Sequence, residues 1–159
     1  MRVAIITGAS SGLGREYARL ADARGGYDQI WAIARRTGRL QTLARELRTP
    51  VRQVALDLLD PSAMDELGDM LADAAAQADS VSDALEVALL VNAAGLGKLG
   101  TYADVTRREV DAMVGLNCRV LVDVTQLALP YMRRGARLMQ IASSASFQPL
   151  PGLNVYAAT

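Results

Sequence analysis

Hydrophobic positions fall into two textures that alternate along the chain. Short apolar or β-branched runs occupy residues 3–6, 29–34, 51–56, 86–91 and 136–142. Each has the length of a strand, and most are apolar at consecutive positions, as in a parallel sheet covered on both faces. Between them the spacing turns helical. Residues 13–24 carry Leu13, Tyr17, Leu20 and Ala21, and residues 37–47 carry Leu40, Leu43, Ala44 and Leu47. Pro61 suits the first turn of a helix running to about residue 78, with Asp60 as its N-cap. Residues 106–132 predict a longer helix, whose Met113, Val114, Leu116, Val120, Leu121, Val124 and Leu127 form an apolar face broader than one sheet contact needs. The stretch 78–85, with Asp79, Ser80, Ser82 and Asp83, reads as a solvated loop. The order β-α-β-α-β-α-β-α-β predicts an α/β fold, a doubly wound parallel sheet. With no internal repeat or low-complexity tract, residues 1–159 are expected to form a single domain.

Composition narrows this picture. The 159 residues are 51% hydrophobic and 21% charged, enough for a core without disulfide or metal staples. Seventeen basic residues balance seventeen acidic ones, which argues against a nucleic-acid surface or a polybasic membrane anchor. The longest apolar run, residues 84–94, is broken by Glu86 and Asn92 and falls short of the ~20 residues of a membrane span. Cys118 has no partner for an internal disulfide and no secretory signal pattern is present, so the expected compartment is the reducing cytoplasm. The absence of His removes Ser-His and Cys-His chemistry and most zinc sites, and no metal site is expected.

The chemistry begins at Thr7-Gly8-Ala9-Ser10-Ser11-Gly12-Leu13-Gly14, which follows the first strand and opens the first helix. Glycines at these positions serve a tight turn, close backbone approach and close helix–strand packing, with backbone N–H groups and the helix N-terminus free to meet a phosphate. A phosphate-loop NTPase is disfavoured, because no Lys-Ser or Lys-Thr closes the loop. In dinucleotide folds the end of the second strand lies beside the adenosine ribose, where an acid binds a 2′-OH and an Arg accommodates a 2′-phosphate. Here that strand ends Ala34-Arg35-Arg36, which predicts NADP over NAD, with Arg35 the primary phosphate ligand and Arg36 the second.

The glycine turn resembles that of the short-chain dehydrogenase/reductase family, in the compact subtype with the motif Thr-Gly-x3-Gly-x-Gly. The resemblance implies a strand order 3-2-1-4-5. It implies cofactor contacts from Gly8, Ser10, Ser11, Gly12, Leu13 and Gly14, and from Asp57 and Leu58 at the adenine edge. Asn92, Ala93, Ala94 and Gly95 resemble the family's Asn-Asn-Ala-Gly, with Ala93 in place of the second Asn. Ser143 stands 13 positions before Tyr156, the spacing of the family's catalytic pair, and Asn117 matches its helical Asn. In that chemistry a hydride passes between a nicotinamide and a carbonyl carbon, Ser143 donates a hydrogen bond to the carbonyl oxygen, and Tyr156 exchanges its proton. The resemblance further implies a small ketone, aldehyde or secondary alcohol substrate. It also implies a homo-dimer or homo-tetramer packed through the long helix. The family places a Lys four residues after the Tyr, at what would be residue 160, to lower the tyrosine pKa from its ordinary value near ~10. The expectation is therefore the N-terminal part of a longer oxidoreductase domain. The alternative is a non-catalytic nucleotide-binding fragment or degraded family member.

Overall fold

A computed structural model of the chain describes residues 1–77, 84–148 and 150–159. Residues 78–83 of the loop expected at 78–85, and Pro149, lie outside the described residues. Five parallel strands form one sheet: β1 (Arg2–Thr7), β2 (Gln29–Ala34), β3 (Val51–Ala55), β4 (Glu86–Asn92) and β5 (Arg137–Gln140). Their order is β3-β2-β1-β4-β5, as the family resemblance implied. The connecting helices are α1 (Gly12–Arg24), α2 (Thr37–Glu46), α3 (Ala63–Ala76), α4 (Arg107–Val114) and α5 (Val120–Ala128). A one-turn α6 (Asn154–Ala157) follows β5.

The continuous apolar runs are explained by two cores, one on each face of the sheet. Val3, Ile5, Trp31 and Ile33 pack with Leu67 and Leu71 of α3 and Val120 and Val124 of α5. Ala4, Ile6, Ile30 and Ala32 pack with Ala18 and Ala21 of α1 and Leu40 and Leu43 of α2. Alternate residues of each strand therefore bury on opposite faces, and neither face tolerates a polar run. The β1–β4 register slips by one residue between Val3 and Ala4. This bulge lets Val87 and Leu90, an odd number of positions apart, join the same core.

Three expectations are corrected. The third helix begins at Ala63 with Ser62 as N-cap. Asp60 instead closes the turn before it, accepting from Ser62 N and Ser62 Oγ, each at 3.0 Å. That hydrogen-bonded turn also lowers the Asp60 carboxyl pKa, chiefly through the Ser62 backbone N–H. The fifth strand is shorter than its apolar run, and as an outer strand it leaves Leu138 exposed. Finally, the helical stretch Arg107–Tyr131, 25 residues with a mean hydropathy of 1.3, is long and apolar enough by length and composition to cross a membrane. Here it lies on the sheet, with Met113, Val120, Val124 and Ala128 buried and Val114, Val122 and Leu129 exposed. The segment is not one regular helix. Gly115–Arg119 between α4 and α5 forms a wider π-helical turn, and Leu129–Tyr131 tightens into a 3₁₀ turn containing Pro130.

Candidate functional site

The carboxyl ends of the strands open onto two adjoining clefts, where an α/β sheet presents its ligands. The first, about 300 Å³, is bounded by Gly8, Ser10, Ser11, Gly12 and Leu13 of the glycine turn, Arg35 and Arg36 after β2, Asp57 and Leu58 after β3, and Ala93–Gly95 after β4. The second, about 640 Å³, shares Leu13, Ala93, Ala94 and Gly95 with the first and adds Asn117, Ser143 and Tyr156. A chain read as scattered motifs thus folds them around one continuous depression.

Two glycines make that depression possible. Gly8 has φ +69°, and a Cβ there would lie 2.7 Å from Ala93 O, so the turn can approach the end of β4 only without a side chain. A Cβ on Gly14 would lie 2.5 Å from Gly8 O and 2.6 Å from Gly8 C. Gly14 therefore brings α1 down onto the turn and does not itself face the cleft. The helix N-terminus points at the cleft with no acidic residue in its first turn and no side-chain cap, leaving its N–H groups free for an anion.

Arg36 Nη2 donates to Ser10 Oγ at 2.8 Å and to Ser11 Oγ at 2.7 Å, while its Nε reaches Ser10 Oγ at 3.2 Å. Arg35, on the other side, stands 3.8 Å from the Asp57 carboxylate across an exposed gap. Two guanidinium groups thus flank the cleft mouth, one tied to the glycine turn and one facing Asp57 after β3. Asp57 also accepts from Leu59 N at 3.2 Å, which fixes the turn after β3.

Asn92 departs from its expected place. It is buried outside both cleft linings, and its Nδ2 donates to Leu121 O, Thr125 Oγ1 and Gln140 Oε1 at 2.9–3.3 Å. The residue points back between α5 and β5, because the side chain preceding Ala93 alternates away from the open end of the strand. Its Oδ1 is buried with no hydrogen-bond partner among the described residues. Asn92 therefore braces the sheet beneath the site and is not a ligand-facing residue.

Asn117 sits in the π-helical turn, whose extra width carries its amide to the loop after β4. There Oδ1 accepts from Leu96 N, and Nδ2 donates to Leu96 O and to Thr159 Oγ1, each at 2.9 Å. The side chain clamps the loop and does not project freely into the cavity. Ser143 caps a 3₁₀ turn, and its Oγ accepts from Ala145 N at 3.2 Å. The acceptor role leaves the hydroxyl hydrogen available to the cavity. The Tyr156 ring lies against Gly97, where a Cβ would come within 3.1 Å of Cδ2.

Some contributors were not singled out from the sequence. Thr7 is fully buried, and its Oγ1 accepts from both Ala93 N and Ala94 N, at 3.1 and 3.0 Å. Its place in the glycine motif was visible; its bond across to β4 was not. Gly97 and Thr159 had no local signal, since each matters only through a partner distant in sequence. Outside the clefts, Lys98 Nζ pairs with Glu109 Oε1 at 2.9 Å, and Glu109 closes a capping box with Thr106. The Thr106 backbone N–H, then Lys98 and the Thr106 hydroxyl, lower the Glu109 pKa from 4.5 to about 2. No cluster of three or more metal-ligating side chains occurs among the described residues.

A parallel sheet in this order, with a glycine-rich turn feeding α1 and with Ser143 and Tyr156 lining one cavity beyond β5, defines a doubly wound α/β fold of the dinucleotide-binding type. The chain matches the family of short chain dehydrogenases over residues 2–159, and it belongs to that family. Sulfoacetaldehyde reductase 2 of Chromohalobacter salexigens is 37% identical over 164 residues, covering 99% of this chain and 60% of that protein. A short-chain dehydrogenase from Streptomyces avermitilis superposes with a TM-score of 0.81 at 31% identity, covering 99% of this chain and 56% of that one. A short-chain dehydrogenase from Sphingobium yanoikuyae in complex with NADPH gives a TM-score of 0.81 at 26% identity, covering 99% and 60%. The chain thus spans about three fifths of the length of these relatives.

Proposed function

We propose that the protein carrying this chain is an NADP-dependent oxidoreductase that interconverts a ketone or aldehyde and its alcohol. One observation carries the reading: the cleft flanked by Arg35 and Arg36 runs into the cavity that holds Ser143 and Tyr156. A nicotinamide dinucleotide suits this pair of clefts. Asp57 and Leu58 would border its adenine, Arg35 and Arg36 its 2′-phosphate, and Ala93–Gly95 its adenosine ribose. Gly8, Ser10, Ser11, Gly12 and Leu13 would surround the pyrophosphate. Two guanidinium forks suit a phosphate better than a bare ribose hydroxyl. The NADPH complex of the Sphingobium relative supports the same cofactor.

When bound, the nicotinamide supplies or accepts the hydride at the substrate carbon. The chain's own residues handle the charge on the oxygen. Ser143 Oγ, held by Ala145 N, directs its hydrogen to the carbonyl oxygen and polarises it. Tyr156 delivers its phenolic proton to that oxygen in reduction and recovers it in oxidation. Asn117 acts as a positioning residue, fixing the loop that carries Leu96 and Gly97 against the Tyr156 ring. The exposed Val114, Val122 and Leu129 on the long helix are the surface through which two copies would associate.

Titration of the purified protein with NADPH and with NADH, followed by incubation with a ketone and aldehyde panel, tests this reading. Tighter binding of NADPH and its consumption with at least one carbonyl are expected. Equal binding of the two cofactors would overturn the NADP assignment. NADPH bound but never consumed would favour the non-catalytic alternative.

A further inference from the structure

We infer that the loop after β4 is a fixed seat for the Tyr156 ring, with Gly97 as its contact and the Lys98–Glu109 ion pair as its outer tie. Gly97 and Lys98 are then positioning residues for the proton transfer; this rests on the oxidoreductase reading above. A Cβ on Gly97 would lie 3.1 Å from Tyr156 Cδ2, 3.3 Å from Cγ and 3.4 Å from Cε2. These are consecutive atoms on one side of the ring, so the loop backbone approaches that side more closely than a residue with a side chain allows. Gly97 is not among the glycines of positive φ, so no backbone strain calls for a glycine here; the ring does.

The loop is held on both sides of that contact. Just before it, the Asn117 amide accepts from Leu96 N and donates to Leu96 O, each at 2.9 Å. Just after it, Lys98 Nζ stands 2.9 Å from Glu109 Oε1. Glu109 is itself fixed, because its Oε2 accepts from Thr106 N and Thr106 Oγ1 at 2.9 Å in the capping box of α4. Further on, Gly100 N donates to Gly152 O at 2.7 Å and ties the loop to the segment that leads into α6 and Tyr156. Gly97 lines the second cavity and Lys98 is not among its lining residues, so Lys98 reaches Tyr156 only through the loop backbone. An exposed ion pair adds little to global stability. Proton transfer responds more sharply, because its rate depends on tenths of an ångström in the placement of the donor.

The test compares the purified parent with Gly97→Ala, Lys98→Met and Lys98→Arg, using NADPH and a panel of ketones. Gly97→Ala should lower kcat about 10-fold and Lys98→Met about 3-fold, with KM and the Kd for NADPH changed by less than about 2-fold. Lys98→Arg, which keeps the charge, should restore the parent kcat. Glu109→Gln, which keeps an oxygen for Thr106, should match Lys98→Met, and the double variant should be no slower than either. A raised KM at constant kcat in Gly97→Ala would make Gly97 a wall for substrate and overturn the inference, as would an unchanged kcat in Lys98→Met. Ring NMR of protein carrying isotopically labelled tyrosine follows the seat without turnover, with the Tyr156 signals identified by their loss in Tyr156→Phe. Those signals should shift or broaden in Gly97→Ala and Lys98→Met and return in Lys98→Arg, while those of Tyr17 and Tyr27 stay in place. If the parent turns over no ketone, the oxidoreductase reading fails and the NMR comparison decides the seat by itself: Tyr156 signals unmoved in both variants refute it.

Discussion

Thr7→Val removes one acceptor, and with it two hydrogen bonds, between the start of the glycine turn and the residues that follow β4. Thr7 is 1% exposed, and its Oγ1 takes hydrogen bonds from Ala93 N and Ala94 N at 3.1 and 3.0 Å. Valine has nearly the same shape, so no cavity forms, but two partly buried N–H groups lose their acceptor. At roughly 1–1.5 kcal/mol for each donor left unpaired, the cost is about 2–3 kcal/mol. For a domain of this size each kcal/mol shifts Tm by about 2–4 °C, so the expected drop is about 4–12 °C. Differential scanning calorimetry reads it directly. Thr7→Ser, which keeps the oxygen, should recover most of the loss. Because Ala93 and Ala94 line both clefts, NADPH affinity should fall in the valine variant and return in the serine variant. A valine variant melting within about 2 °C of the parent would refute the view that this hydroxyl holds the strand end in place.

Arg36→Ala should weaken NADPH binding by about 10–100-fold while leaving NADH nearly unchanged, as fluorescence titration would show, because it removes a charge-assisted fork. Equal losses for both cofactors would place Arg36 elsewhere than at the 2′-phosphate. Gly14→Ala should destabilise the fold by about 3 kcal/mol in urea unfolding, since the new Cβ meets backbone and not a side chain that could move. For Glu109, NMR titration of the carboxyl should give a midpoint near 2 instead of 4.5. Its folded pKa is depressed, so its contribution is complete above about pH 4.5 and disappears as pH falls toward 2. Glu109→Gln should therefore be less stable than the parent at pH 7, with the gap closing in acid; a gap independent of pH would contradict the assigned capping role.

Much of the fold was legible because the physics is local. The second strand was placed at Gln29–Ala34, where it lies, since both faces of that run are buried and its ends carry polar residues. The glycine turn was legible because its glycines answer a backbone demand, the positive φ and close contact at Gly8. What escaped notice depends on partners far along the chain. Asn92 looks like a strand-end ligand in the motif, yet its orientation is set by Thr125 and Gln140. Asn117 was identified, but the π-helical turn that carries it to Leu96 has no signature in hydrophobic spacing. Asp60 satisfies capping rules as well as Ser62 does, but its carboxylate is engaged by Ser62 N and Oγ in the turn before the helix.

The central question is whether this site passes a hydride from bound NADPH to a carbonyl carbon while Tyr156 supplies the proton to its oxygen. NADPH deuterated at C4 should be incubated with the purified protein and an accepted ketone, and the product alcohol examined by mass spectrometry. Deuterium is expected on the carbinol carbon with the parent. Tyr156→Phe should bind NADPH normally and form the labelled alcohol about 10²–10⁴-fold more slowly. Label transfer at an undiminished rate in Tyr156→Phe, or bound NADPH that never passes deuterium to carbon in the parent, would contradict this reading.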